Sequence, residues 1–221
     1  MSFSTVIVRT RGWISSRLLM FQQWSWRLEV EGGEPFHRMV QNGNRVIVCF
    51  WHGKYVPLLP ILRGTDGCVF TCADRSGDII AKIAGDFGFR CTQIPYRGGH
   101  RSLQCMENAL SEVNLAGIAV DGPLGPYHQV KQGVIRLASR TGSYLLPVSM
   151  NARKKWVLRK RWDLMEIPFP FTKVRLVMGA PIAVPAFVEP EDIAVFSLKL
   201  QQAIDCVEAK AAGLVPEFKG A

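Results

Sequence analysis

Four short stretches of the chain bring polar side chains and glycines together at the ends of apolar runs. The first is Phe50-Trp51-His52-Gly53-Lys54, where a histidine directly follows a buried-looking segment. An imidazole with an ordinary pKa of about 6.5 takes and returns a proton near neutrality. His52 is therefore the candidate general base, and Gly53 leaves room for a substrate. The second stretch, Cys72-Ala73-Asp74-Arg75-Ser76-Gly77-Asp78, supplies two carboxylates and an arginine at a helix start. Either Asp74 or Asp78 could orient the imidazole and stabilise its charged form, although Asp78 also suits a helix N-cap.

The third stretch is Pro95-Tyr96-Arg97-Gly98-Gly99-His100-Arg101. Gly98 and Gly99 let backbone N–H groups approach an anion, and Arg97 and Arg101 could hold a phosphate. The fourth is Ala119-Val120-Asp121-Gly122-Pro123-Leu124-Gly125-Pro126. Glycine and proline stiffen this loop, with Asp121 at its head as a third candidate partner for His52. A solvated basic turn and a plain tight turn are the simpler readings of these two stretches. Backbone N–H groups at Gly98-Gly99 or at Gly122 could stabilise a developing oxyanion.

Positioning these groups requires a regular scaffold. The run Val46–Phe50 is continuously apolar, as in a strand covered on both faces, and His52 lies just past its C-terminal end. Strand-like and helix-like segments then alternate: strands at 67–72, 91–94, 115–120, 144–150 and 174–178, helices at 53–62, 78–87, 102–113, 130–141 and 190–211. The spacing predicts a single α/β domain, a mixed, largely parallel sheet with helices on both faces.

The chain has 221 residues, 48% of them apolar and 20% charged, which fits one globular domain. Its formal net charge of +9 favours anionic partners. The six cysteines lack CxxC spacing, and no metal site is expected. Residues 1–28 read as an amphipathic membrane-associating segment ahead of a domain at 29–221. There Arg9, Arg11, Arg17 and Arg27 mix with Trp13, Ile14, Leu18, Leu19, Phe21, Trp24 and Trp26. A second basic cluster, Arg153, Lys154, Lys155, Arg159, Lys160 and Arg161, surrounds Trp156 and Trp162, with Pro168-Phe169-Pro170-Phe171 beyond it. Such a surface suits an anionic bilayer or an acidic carrier protein. No apolar run reaches the roughly 18 residues of a membrane span, and no signal peptide is evident.

These motifs, in order, carry a resemblance: His52-Gly53-Lys54, Arg75/Gly77/Asp78, Arg97-Gly98-Gly99, Asp121-Gly122-Pro123-Leu124-Gly125-Pro126 and Leu146-Pro147-Val148. Together they resemble the lysophospholipid acyltransferase-like superfamily, and more narrowly its DUF374 branch, related to secondary acyltransferases of lipid A. The resemblance runs from about residue 27 to about residue 185. It implies an acyltransferase-like domain that moves an acyl group from an acyl carrier protein or coenzyme A thioester to a lipid hydroxyl, such as a lipid A precursor or a lysophospholipid. No bound cofactor is implied. His52 matches the base of the superfamily's His-x4-Asp motif, but Pro57 stands where the aspartate belongs. The block that typically reads SxSxDGE is altered as well, with Ser76 and Asp78 at its acidic positions. The resemblance assigns acceptor binding to the Arg97 region and sets Asp121-Gly122-Pro123 where related enzymes carry a Pro-Glu-Gly block. It further implies a peripheral enzyme on the cytoplasmic face of the inner membrane, with no nucleic-acid partner. The competing readings are a non-catalytic lipid-binding protein on the same fold, a basic nucleic-acid-binding protein, and a hydrolase using the same His52.

Overall fold

The computed structural model describes residues 3–96 and 98–214, with side chains from residue 10 onward. The chain opens with helix α1 (Phe3–Ser25), strand β1 (Arg27–Glu31) and helix α2 (Gly33–Gln41). Strand β2 (Val46–Phe50) leads through a single 3-10 turn (His52–Lys54) into α3 (Tyr55–Ile61). Then come β3 (Cys68–Cys72), α4 (Arg75–Asp86), β4 (Arg90–Ile94), α5 (His100–Glu112), β5 (Leu115–Ala119), α6 (Gly133–Thr141) and β6 (Tyr144–Ala152). The chain finishes with β7 (Lys155–Val157), β8 (Glu166–Pro168), β9 (Lys173–Met178) and α7 (Pro190–Ala211).

Seven strands form one sheet in the order β1-β9-β6-β2-β5-β3-β4. All neighbours are parallel except β6 and β9. Strand β2 lies at the centre, and each of its residues is buried. Its alternation explains why the whole run had to be apolar. Ile47, Cys49 and Trp51 pack towards α5, α6 and α7, whereas Val46, Val48 and Phe50 pack with Phe36 of α2 and Leu58 of α3. The expected α/β architecture is the observed one.

Two features depart from the sequence reading. Helix α4 begins at Arg75 rather than Asp78, because Asp74 caps it by accepting the Gly77 N–H at 2.7 Å. The second lies at residues 153–171, where the sequence reading named a basic, aromatic surface but no strands. They form a β-hairpin in which Trp156 of β7 faces Ile167 of β8, standing apart from the main sheet in the connection between β6 and β9.

Helix α1 does not hang free. It packs on α4, where Gly12 lies against the Lys82 stem and the Ser16 hydroxyl donates to Asp86 at 2.6 Å. Lys82 completes this contact by pairing with Asp86. Leu19 is buried with Ile83 of α4 and with Phe87 just past its end. The opposite side of α1 exposes Trp13, Ile14, Leu18, Phe21 and Trp24. The helix thus turns two small residues inward and its aromatic side outward, the reverse of an ordinary surface helix. Among the described residues, no helix is long and apolar enough to cross a membrane.

Candidate active site

His52 begins the turn that ends β2, so the most buried strand of the sheet aims it. Two acids hold it, at different points. Asp121, at the head of the loop after β5, is fully buried and accepts the backbone N–H of His52 at 2.7 Å. Its second oxygen takes the His128 N–H at 3.4 Å. Burial raises the Asp121 carboxyl above its ordinary value, while the N–H groups of His52 and His128 oppose that rise. Asp121 therefore fixes the main chain of the turn, whereas the imidazole hydrogen-bonds to another acid.

The imidazole is held by Asp163. Nδ1 of His52 lies 2.7 Å from Asp163 Oδ2, and the Asp163 side chain is fully buried. Arg161 braces the same carboxylate with two hydrogen bonds, from Nε to Oδ1 at 2.8 Å and from Nη2 to Oδ2 at 2.7 Å. Burial alone would raise the Asp163 carboxyl, but the bonds and charges of Arg161 and His52 prevail and hold it well below the usual carboxylate range. An ionised Asp163 accepts only, so Nδ1 carries a proton, and in the neutral form of the imidazole Nε2 is the nitrogen that holds the lone pair. That is the tautomer a general base needs.

The partner carboxylate thus differs from those expected. Asp74 serves as the α4 cap, Asp78 accepts from the Gln93 side chain at 2.7 Å, and Asp121 holds backbone. Asp163 is hard to recognise from sequence because it lies 111 residues from His52, inside a strongly basic run. One signal could have found it: Asp163 is the first acid after Asp121, and it follows an arginine two residues earlier.

His52 opens into a cavity of about 720 Å³. Tyr55 and Trp162 flank the imidazole, with ring centroids 5.1 and 5.2 Å away. Burial raises the Tyr55 hydroxyl to a pKa of about 12, so it stays neutral beside the base. From His52 the lining extends past Phe50, Ile118 and Val69 to Leu115, a predominantly apolar path. Gly98, Gly99, Gly122 and Pro123 line the cavity as well, together with Asp74, Lys131 and Arg161. Arg75 and Arg101 are exposed and do not line it. Arg97 lies outside the described residues. The Gly98 and Gly122 N–H groups already donate to Pro95 and Ala119 at 3.3 and 3.2 Å, so Gly99 is the remaining candidate oxyanion donor from that set.

Two glycines make the close packing here possible. A Cβ at Gly122 would stand 2.6 Å from His52 Cδ2, and one at Gly53 would collide with the Asp163 carbonyl oxygen. Among the described residues, His128, Asp205 and Glu208 are near enough to gather round a cation. However, the Lys54 ammonium already lies 3.1 Å from Glu208.

No family model matches the chain. An uncharacterized protein of Rickettsia prowazekii (strain Madrid E) is 27% identical over 150 residues, covering 66% of this chain and 67% of its own length. Among solved structures, the 1-acyl-sn-glycerophosphate (LPA) acyltransferase PlsC from Thermotoga maritima is similar with a TM-score of 0.54 at 17% identity. That similarity covers 93% of this chain and 82% of the PlsC chain. The protein has the mixed α/β fold of that acyltransferase.

Proposed function

We propose that the protein is an O-acyltransferase working at a membrane surface, with His52 as general base and Asp163 as its partner. The carrying observation is the His52–Asp163 pair, with His52 in the wall of a predominantly apolar cavity. An apolar cavity of this kind suits a fatty acyl chain, and a base in its wall suits attack on the thioester carbon of that chain. His52 Nε2 takes the proton of an acceptor hydroxyl as its oxygen bonds to the thioester carbonyl carbon. Asp163 stabilises the resulting imidazolium, and the Gly99 N–H is the candidate donor to the oxyanion. The intermediate then collapses, the C–S bond breaks, and the imidazolium returns its proton to the departing thiolate. Acyl carrier protein and coenzyme A are the candidate donors, and a lysophospholipid or a lipid A precursor the candidate acceptor.

An exposed aromatic and basic surface supports the membrane part of this reading. The aromatic side of α1 continues into the loop before β9, where the Phe171 N–H donates to Ser25 at 3.0 Å. Phe169 donates its N–H to the Lys154 carbonyl at 3.0 Å, which brings the hairpin into the same surface. Exposed Trp156 and cationic Arg153, Lys154, Arg159 and Lys160 extend it. Aromatic side chains among cations favour an anionic lipid interface, at about 1 kcal/mol for each basic residue near it.

The deciding experiment offers labelled acyl carrier protein and acyl-coenzyme A to the purified chain, with a panel of lysophospholipids and lipid A precursors, and reads products by mass spectrometry. An acylated lipid that vanishes in His52→Ala supports the proposal and names donor and acceptor. Vesicle binding with no product from any pair overturns it in favour of non-catalytic lipid binding. Free fatty acid without acylated acceptor points to hydrolysis.

A further inference from the structure

We infer that Lys54 is a positioning residue that keeps the Asp163 hairpin in register with His52; this rests on the catalytic reading above. Three consecutive residues of one turn engage the same stretch of the hairpin. His52 meets Asp163 through its imidazole, and Gly53 lies beneath the Asp163 carbonyl with no room for a Cβ. Lys54 Nζ reaches Glu166 at 2.8 Å. Lys54 then touches α7 through Glu208 at 3.1 Å, while Glu166 also takes Lys155 of β7 at 2.8 Å. A single ammonium thereby joins the turn carrying the base, the hairpin carrying the acid and the terminal helix.

The Lys54 side chain is only 5% exposed. Burying an ammonium costs free energy, and an apolar residue of similar shape often serves stability equally well. What the charge adds is direction. Glu166 follows Asp163 by three residues, so a shift of the hairpin that breaks one pair strains the other. The hairpin belongs to no larger sheet that would otherwise hold it in place. Lys54 does not line the cavity, so it acts through Asp163 and not on substrate.

The test uses the full chain with Lys54→Met, which keeps the stem and removes the charge. In the parent, the Nδ1 proton of His52 is expected to give a downfield proton NMR signal that Asp163→Asn abolishes. Lys54→Met is expected to move or broaden that signal without any substrate present. In turnover it lowers kcat by about tenfold or more and leaves KM within about twofold, in keeping with the cost of a slightly misplaced catalytic group. In an Asp163→Asn background the same change costs less than about twofold. A folded Lys54→Met with the parental signal and kcat overturns the inference, as does full additivity with Asp163→Asn. Should Lys54→Met fail to fold, Glu166→Gln carries the same test, and an unchanged signal there overturns it. The NMR comparison decides the matter even where no acyl transfer is found, so failure of the positioning role is separable from failure of the catalytic reading.

Discussion

Gly122 lies against the edge of the His52 imidazole, so close that a methyl group on its α-carbon would stand 2.6 Å from Cδ2. Cδ2 adjoins Nε2, the nitrogen left free for substrate. Gly122→Ala is expected to displace the imidazole and lower kcat by about tenfold to a hundredfold. The other nearest neighbours, at 3.5 Å, make ordinary contacts with that methyl, so thermal unfolding should stay close to the parent. Steady-state kinetics beside a melting curve checks both parts, and parental kcat would refute the first.

Asp163→Asn separates the dyad acid from the acids that do other work. The change removes the acceptor that fixes the Nδ1–H tautomer, and turnover should fall by about 10²- to 10⁴-fold. Asp74→Ala removes a helix cap, costing about 1 kcal/mol of stability while turnover stays within about threefold. The reverse ranking of the two variants would reassign the acid.

The depressed Asp163 carboxyl also sets a pH dependence of folding. Its folded-state value lies below its unfolded one, so its contribution is present above the unfolded value of about 3.9 and is lost as pH falls below that. Asp121 works with the opposite sign. Its carboxyl is raised by burial, so folding binds its proton more tightly and this group favours the folded state as pH falls through its raised value. Urea unfolding from pH 6 to pH 3 should therefore show a shallower loss for Asp163→Asn than for the parent. An equal loss in both would show that Asp163 does not supply it.

Gly117 sits midway along β5 in the wall of the cavity, with Phe50 and Val69 at 3.5 and 3.6 Å from where a Cβ would stand. Gly117→Leu fills that stretch of the channel. Turnover with long-chain donors should drop by about tenfold while shorter chains are retained, since misfit in a packed site costs a few kcal/mol. A uniform fall across chain lengths would mean that the chain lies elsewhere.

Trp24 and Phe171 are 77% and 67% exposed on the continuous aromatic surface. Replacing both with glutamate removes interfacial side chains and adds repulsion from anionic lipid. Sedimentation with anionic vesicles should show binding weakened by about tenfold or more, with the parental melting temperature. Undiminished binding would place the lipid contact on another face.

Much of the scaffold was legible because its signals are local. The continuous apolar run of β2, the alternation of short strands with helices and the glycines after them are consequences of a sheet covered on both faces. The candidate base was legible for the same reason, since His52 stands at the end of that run. Its acid was not. Asp163 meets His52 only because β6 and β9 run antiparallel and the intervening chain folds back over the strand ends. No spacing along the chain encodes that approach, and charge around Asp163 pointed to solvent. The arginine that marks the run as basic at position 161 is the very group that keeps Asp163 ionised. Asp74 and Asp121 misled because capping a helix and pinning a main chain demand the same residue type as orienting an imidazole.

Strand β1 follows α1 after a single residue and is zipped in register to β9 from Arg27 to Glu31. No flexible arm separates the exposed aromatic side of α1 from the sheet. On the proposed membrane docking, a bilayer that seats α1 would set the tilt of the whole body, and His52 with its cavity would be held at one height and one bearing above the headgroups. A lipid acceptor would then be found by a search in two dimensions, with lateral diffusion delivering the hydroxyl and only rotation about the membrane normal left for the protein to sample.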